Sequence, residues 1–115
     1  MQTKNEIMSI AINAAGFIEY SDGSVVSKQL IKKETGTITL FAFEKGQSLS
    51  EHTAPFDAFV QVVDGKGEFF IDGRLVVVNR DEFIILPANI PHAVNAAEKF
   101  KMLIVMIKES KNLQG

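Results

Sequence analysis

The chain of 115 residues contains no cysteine. That excludes disulfides, thiolate metal sites and a cysteine nucleophile. An excess of one charge is also missing: 12 Lys and Arg stand against 14 Asp and Glu, a net charge of −2. There is no basic stripe for nucleic acid and no polybasic patch for an anionic membrane surface. No apolar run approaches the roughly eighteen residues a membrane-spanning helix needs. The opening stretch 1–16 has only a short apolar part, with Glu6 ahead of it, and makes a poor signal peptide. No Gly-x-Ser-x-Gly nucleophile elbow occurs, nor a Gly-x-x-x-x-Gly-Lys-Ser/Thr phosphate loop. These absences predict a soluble, cytoplasmic protein with neither a nucleic-acid nor a membrane partner. Histidine is nearly absent too, so any imidazole chemistry falls to His52 and His92.

What is present is enough apolar material, 46% of the residues, for one core in one domain. Ile7, Ile10, Ala11 and Ala14 recur at helical spacing, which predicts a short helix over 6–15 that stops at Gly16. Beyond Gly16 the period becomes two. Strands are expected over 25–31, 37–43, 58–63, 68–71, 75–78, 83–86 and 102–107, within a barrel over about 17–108. The polar tail 109–115 is expected to fray. Asp22-Gly23, Asp64-Gly65 and Asp72-Gly73 suit the positive-φ positions of tight hairpin turns. Short strands separated by turns, with little helix, predict an all-β sandwich or barrel. Runs such as Phe59, Val60, Val62 and Val63 are apolar on both faces. One face suits a barrel interior, and a second subunit is the simplest cover for the other, so a homodimer is expected.

Two segments carry the functional signal: GQSLSEHTAPFDAFVQVVDG over 46–65 and DEFIILPANIPHAVNA over 81–96. Together they resemble the two motifs of the cupin superfamily. Gly46, His52 and Gly65 match the first motif at its spacing, and Pro87 and His92 match the second. Asp81 and Asn89 stand at motif glycines, so those loops are expected to differ slightly. The resemblance implies a double-stranded β-helix, a jelly-roll-like barrel, preceded here by the short helix. It also implies one divalent metal, iron, manganese, nickel or zinc, held by two histidines and a glutamate of the first motif and a histidine of the second. His52 and His92 stand at two of those four positions. Ala54 and Ala58 stand at the other two and coordinate nothing. Asp57, Gln61 and Glu51 are near in sequence, but strand alternation turns them away if Ala58 faces inward.

The pocket implied is lined by His52, His92, Ala54, Ala58 and Val60, roomy and apolar with two polar groups. The expected function is binding of a small organic molecule, with or without metal assistance. A metal-assisted barrel would resemble dioxygenases or isomerases. The alternative is a metal-free, non-catalytic sensing module acting through a partner. Fold alone does not decide between them.

Overall fold

A computed structural model describes residues 4–108. Among the described residues eight strands are present: β1 Val25–Lys33, β2 Gly36–Phe43, β3 Ser48–His52, β4 Ala58–Ile71, β5 Arg74–Asn79, β6 Phe83–Leu86, β7 His92–Asn95 and β8 Phe100–Ile107. They form two antiparallel layers. In the first, β1 pairs with β2, β2 with β8, β8 with β4 and β4 with β6. In the second, β3 pairs with β7, β7 with β4 and β4 with β5. β4 therefore belongs to both, and its 14 residues carry the chain around the corner of the barrel. No helix among the described residues is long and apolar enough to cross a membrane.

The corner lies at Asp64-Gly65, where a hairpin turn is expected from sequence. The structure has a bulge there instead. The register against β8 shifts between Val62 and Asp64, and Gly65 has a φ of 69°. The runs on either side do not pair with each other, because Ala58–Gln61 finds β6 and β8 while Glu68–Ile71 finds β5 and β7. An extra residue bends a strand and lets it change sheets. Asp72-Gly73 does form the expected two-residue hairpin, with φ of 52° and 81° and Ile71 paired to Arg74. Gly23 turns the chain into β1 and joins no two strands.

Inward-facing residues alternate along β4, β7 and β8. Ala58, Val60 and Val62 on β4 meet Met102 and Ile104 on β8, with Val94 on β7 in the same core. Phe43, Phe69 and Phe100 are fully buried and fill one end of the barrel. The Phe43 and Phe100 rings stack with centroids 4.7 Å apart, and Phe69 meets Phe100 edge-on at 6.2 Å. Each such ring contributes about 2–3 kcal/mol through burial alone.

The expected helix over 6–15 is not formed. A single turn spans Lys4–Ile7, and the chain then breaks at Ser9, which takes a φ of 62°. The Asn13 side chain accepts a hydrogen bond from the Gly16 N–H at 2.8 Å, a local turn that competes with helix. A helix this short has little intrinsic stability. The segment is instead held by side chains reaching out from the sheet. Lys101 Nζ donates to the Ala15 carbonyl at 2.6 Å and Lys28 Nζ to the Phe17 carbonyl at 2.7 Å. Tyr20 donates its hydroxyl to Asp64 at 2.5 Å. Burial, and then the Asp64 carboxylate, push the Tyr20 phenol well above its usual range. These contacts seat Ile18 on Leu40 and Ala42, a small second core on the outside of the first layer. The tail 109–115 lies outside the described residues.

Candidate functional site

β3 and β7 are the strands that sequence periodicity misses. β3, SLSEH, is largely exposed and carries no apolar alternation. β7 is four residues, HAVN, too short for a pattern. They pair with each other and place His52 directly opposite His92 across the ladder. The two rings meet edge to face with centroids 4.4 Å apart and planes at 67°.

The loops behind these strands are tied together through the backbone. Asn89 N–H donates to the Ala54 carbonyl at 2.7 Å, and Ala88 N–H to the Asp57 carboxylate at 2.8 Å. Asp72 N–H donates to the Pro91 carbonyl at 2.8 Å. Asp81 and Asn89, at the motif glycines, keep the left-handed backbone with φ of 72° and 63°. Both positions thus take the left-handed backbone that glycine adopts freely. Asp and Asn are the residues best able to adopt it.

Each imidazole is anchored on one side. His52 Nδ1 lies 2.9 Å from the Ser50 carbonyl, and His92 Nδ1 lies 3.2 Å from the Ile90 carbonyl. A carbonyl only accepts, so each Nδ1 carries the hydrogen and each neutral ring keeps its Nε2 lone pair free. His92 is 7% exposed, whereas His52 is open to solvent. Burial lowers the His92 pKa below its ordinary value, the Ile90 carbonyl partly offsets that, and the nearby His52 lowers it further.

The sign of this shift gives a testable pH dependence. Unfolded, His92 titrates near 6.5; folded, it titrates lower. As the pH falls below about 6.5 the unfolded chain takes up the proton first, and stability declines until the folded ring protonates too. Above 6.5 this contribution is fully present. Thermal unfolding followed between neutral and mildly acidic pH is expected to show a steeper fall for wild type than for His92→Gln.

The remaining expected site residues divide in two. Ala58 and Val60 lie on the inner face of β4, 6% and 0% exposed. Ala54 lies in the loop after β3, half-buried, with its carbonyl engaged by Asn89. Thr39 and His92 are the buried polar residues of the described core. Sequence reading places Thr39 only within an alternating strand, yet it sits in one cross-strand row with Ile104 and Val60. The signal available was a threonine at an inward position of an otherwise apolar face.

The donor set does not fit the metal centre that the motifs imply. Among the described residues no three His, Cys, Asp or Glu side chains cluster so as to hold a metal ion. Asp57 spends its carboxylate on the Ala88 N–H, Glu51 is exposed, and Gln61 alternates with the inward Val60 and Val62. A metal site normally draws at least three ligands from the protein. Two imidazoles and two alanines fall short of that.

Comparison with known proteins agrees with the fold. A family model described as a cupin domain matches residues 39–108. No curated protein matches the chain. Among solved structures, a conserved protein of unknown function from Streptococcus pyogenes is similar at 31% identity and a TM-score of 0.85, covering 89% of this chain and 90% of that one. A cupin 2 conserved barrel domain protein from Leptotrichia buccalis is 47% identical with a TM-score of 0.82 over 84% of this chain. This chain spans about half of that protein, 47% of its length. Salicylate 1,2-dioxygenase from Pseudoaminobacter salicylatoxidans shares the fold at 12% identity and a TM-score of 0.67, over 72% of this chain and 26% of its own. At that identity the likeness is one of fold alone, and the dioxygenase activity stays with that protein.

Proposed function

The chain belongs to the cupin family, and from that premise we propose that it binds a small organic molecule beside His52 and His92 without a resident metal ion. The observation that carries this reading is the pair of imidazoles, each tied back through Nδ1, each with a free Nε2. With the hydrogen on Nδ1, the Nε2 lone pair of a neutral ring accepts a hydrogen bond from a hydroxyl or N–H group on a ligand. Ala58 and Val60, 6% and 0% exposed, belong to the packed core of β4, so a ligand engages the pair from the solvent side of His52. The lowered pKa of His92 keeps its ring neutral at physiological pH, as an acceptor or as a base.

The test is a thermal-shift survey of phenols, short hydroxy acids and enolisable diketones. A ligand at a hundred times its dissociation constant stabilises by about 2.7 kcal/mol. At least one class is expected to raise the melting temperature of wild type, with the shift lost in His52→Ala and in His92→Ala. Shifts that survive in both variants would place the binding site elsewhere.

A further inference from the structure

β4 begins at Ala58 in the first layer, bends at Asp64-Gly65 and ends at Ile71 in the second. Ala58 and Ile71 therefore stand at the same end of the barrel, opposite the corner. In the first layer the row through Ala58 holds Thr37, Met106 and Leu86. In the second layer the row runs His52, His92, Ile71, Arg74, each the register partner of the next. Residues directly opposite across an antiparallel ladder put their side chains on one face. Ile71 and His92 are buried, so that face is the inner one, and Arg74 stands on it at the free edge of β5. Val76 and Val78, the next inward positions of β5, are half-buried and buried, whereas Arg74 is exposed. Arg74 is the one residue of these two rows with a fixed charge. Among the described residues the ion pairs are Lys66 with Glu98 and Arg80 with Asp81, and the Arg74 guanidinium enters neither. Asp72, close by in the turn, makes no ion pair with it.

We propose that Arg74 anchors a carboxylate on the ligand whose hydroxyl or N–H group meets the histidine pair, so that the site takes small hydroxy-carboxylates. This rests on the ligand-binding reading above and names the class of ligand. The row has a polarity that selects such a molecule. At one end a neutral imidazole offers a lone pair and calls for a donor. At the other end an unpaired guanidinium offers a planar fork of donors, which matches a carboxylate bidentately. One guanidinium balances one carboxylate charge, whereas a phosphate group brings nearly two. Ile71 lies between the two ends, 9% exposed, as an apolar floor for the carbon atoms that join the two groups. Arg74 is two strands from His92, about 10 Å at about 4.8 Å per strand. The arginine side chain spans much of that distance, which leaves room for a spacer of a few carbon atoms. No acid stands on either row to repel the anion, and Asp57 spends its carboxylate on the Ala88 N–H.

The chain has two histidines, so their ring Cε1 protons give two NMR resonances that report a ligand at the pair. Lactate, meta-hydroxybenzoate and para-hydroxybenzoate are titrated beside their amides, which keep the shape and lose the charge. At least one carboxylate is expected to shift both resonances and to bind about tenfold more tightly than its amide. Arg74→Gln is expected to bring that carboxylate down to the level of the amide and to leave the amide unchanged. Arg74→Lys is expected to keep part of the preference, a point charge without the fork. Added salt weakens the carboxylate and not the amide. Arg74 is exposed, so both variants are expected to stay folded. Carboxylates that bind no better than their amides, or equally well to Arg74→Gln, would overturn the anchor and leave the histidine reading standing; an arginine that only guards the free edge of β5 gives that result. Binding that moves neither histidine resonance would overturn both. A failure of all three carboxylates to bind, with an amide still shifting the histidines, would overturn the anchor alone.

Discussion

Gly65→Val is expected to destabilise the protein by at least about 4 kcal/mol, a large share of a total stability of about 5–15 kcal/mol. Two effects add. Gly65 has a φ of 69°, in the left-handed region that a β-branched residue adopts only at a cost of one to a few kcal/mol. A Cβ there would also overlap the Lys99 carbonyl oxygen and lie 3.1 Å from Cα and Cβ of the fully buried Phe100. Both contacts are to the start of β8, which pairs with β2 and β4 and has little freedom to shift. Gly46→Ala separates the two effects. Its φ is 87° but nothing lies within 4 Å of a Cβ built there, so only the backbone strain applies, about 1 kcal/mol. Denaturant unfolding followed by circular dichroism checks both. A Gly65→Val protein as stable as Gly46→Ala would show that the close approach to β8 has no energetic weight.

Gly65 also shows what was legible in the sequence. Its place in the first cupin motif was plain, but the Asp64-Gly65 dipeptide reads as a hairpin from local chemistry. Only the long-range partners of β4, unknowable from a window of neighbouring residues, decide that the chain bends and continues. The same limit explains β3 and β7: one is mostly exposed and the other is four residues long, so neither leaves a periodic trace. Strands with a buried face, β2, β4, β6 and β8, were legible because alternation records burial directly. The N-terminal helix was misread because spacing of Ile7, Ile10, Ala11 and Ala14 says nothing about caps or about the competing Asn13 turn. For the site, the motif spacing correctly juxtaposed His52 and His92. It could not reveal that each Nδ1 is committed to the backbone carbonyl two residues before its own ring. Nor could it show that Asp81 and Asn89 preserve the glycine backbone conformation.

The second large effect is a gain. Ala54→His combined with Ala58→Glu restores the two motif ligands this chain lacks, and the variant is expected to hold about one equivalent of divalent metal. Ala58 lies on the inner face of β4, 6% exposed. Ala54 follows His52 by two residues, in a loop anchored to Asn89. Four donors of imidazole and carboxylate type suit iron, manganese, nickel or zinc. Without metal, the introduced carboxylate would be buried, unpaired and destabilising, so metal is expected to raise the melting temperature of the variant by several degrees. Isothermal titration with zinc and with manganese checks this. A variant that stays folded yet binds no better than wild type would show that the two alanine positions do not converge on the histidine pair.

Whether the histidine pair serves an organic ligand or a metal centre is decided most directly by the metal content of the wild-type chain. The protein is equilibrated separately with iron(II), manganese(II), nickel(II) and zinc(II), desalted, and analysed beside His52→Ala. For a pair that serves an organic ligand, far less than one equivalent of each metal is expected, unchanged by the substitution. One retained equivalent that His52→Ala abolishes would contradict that role.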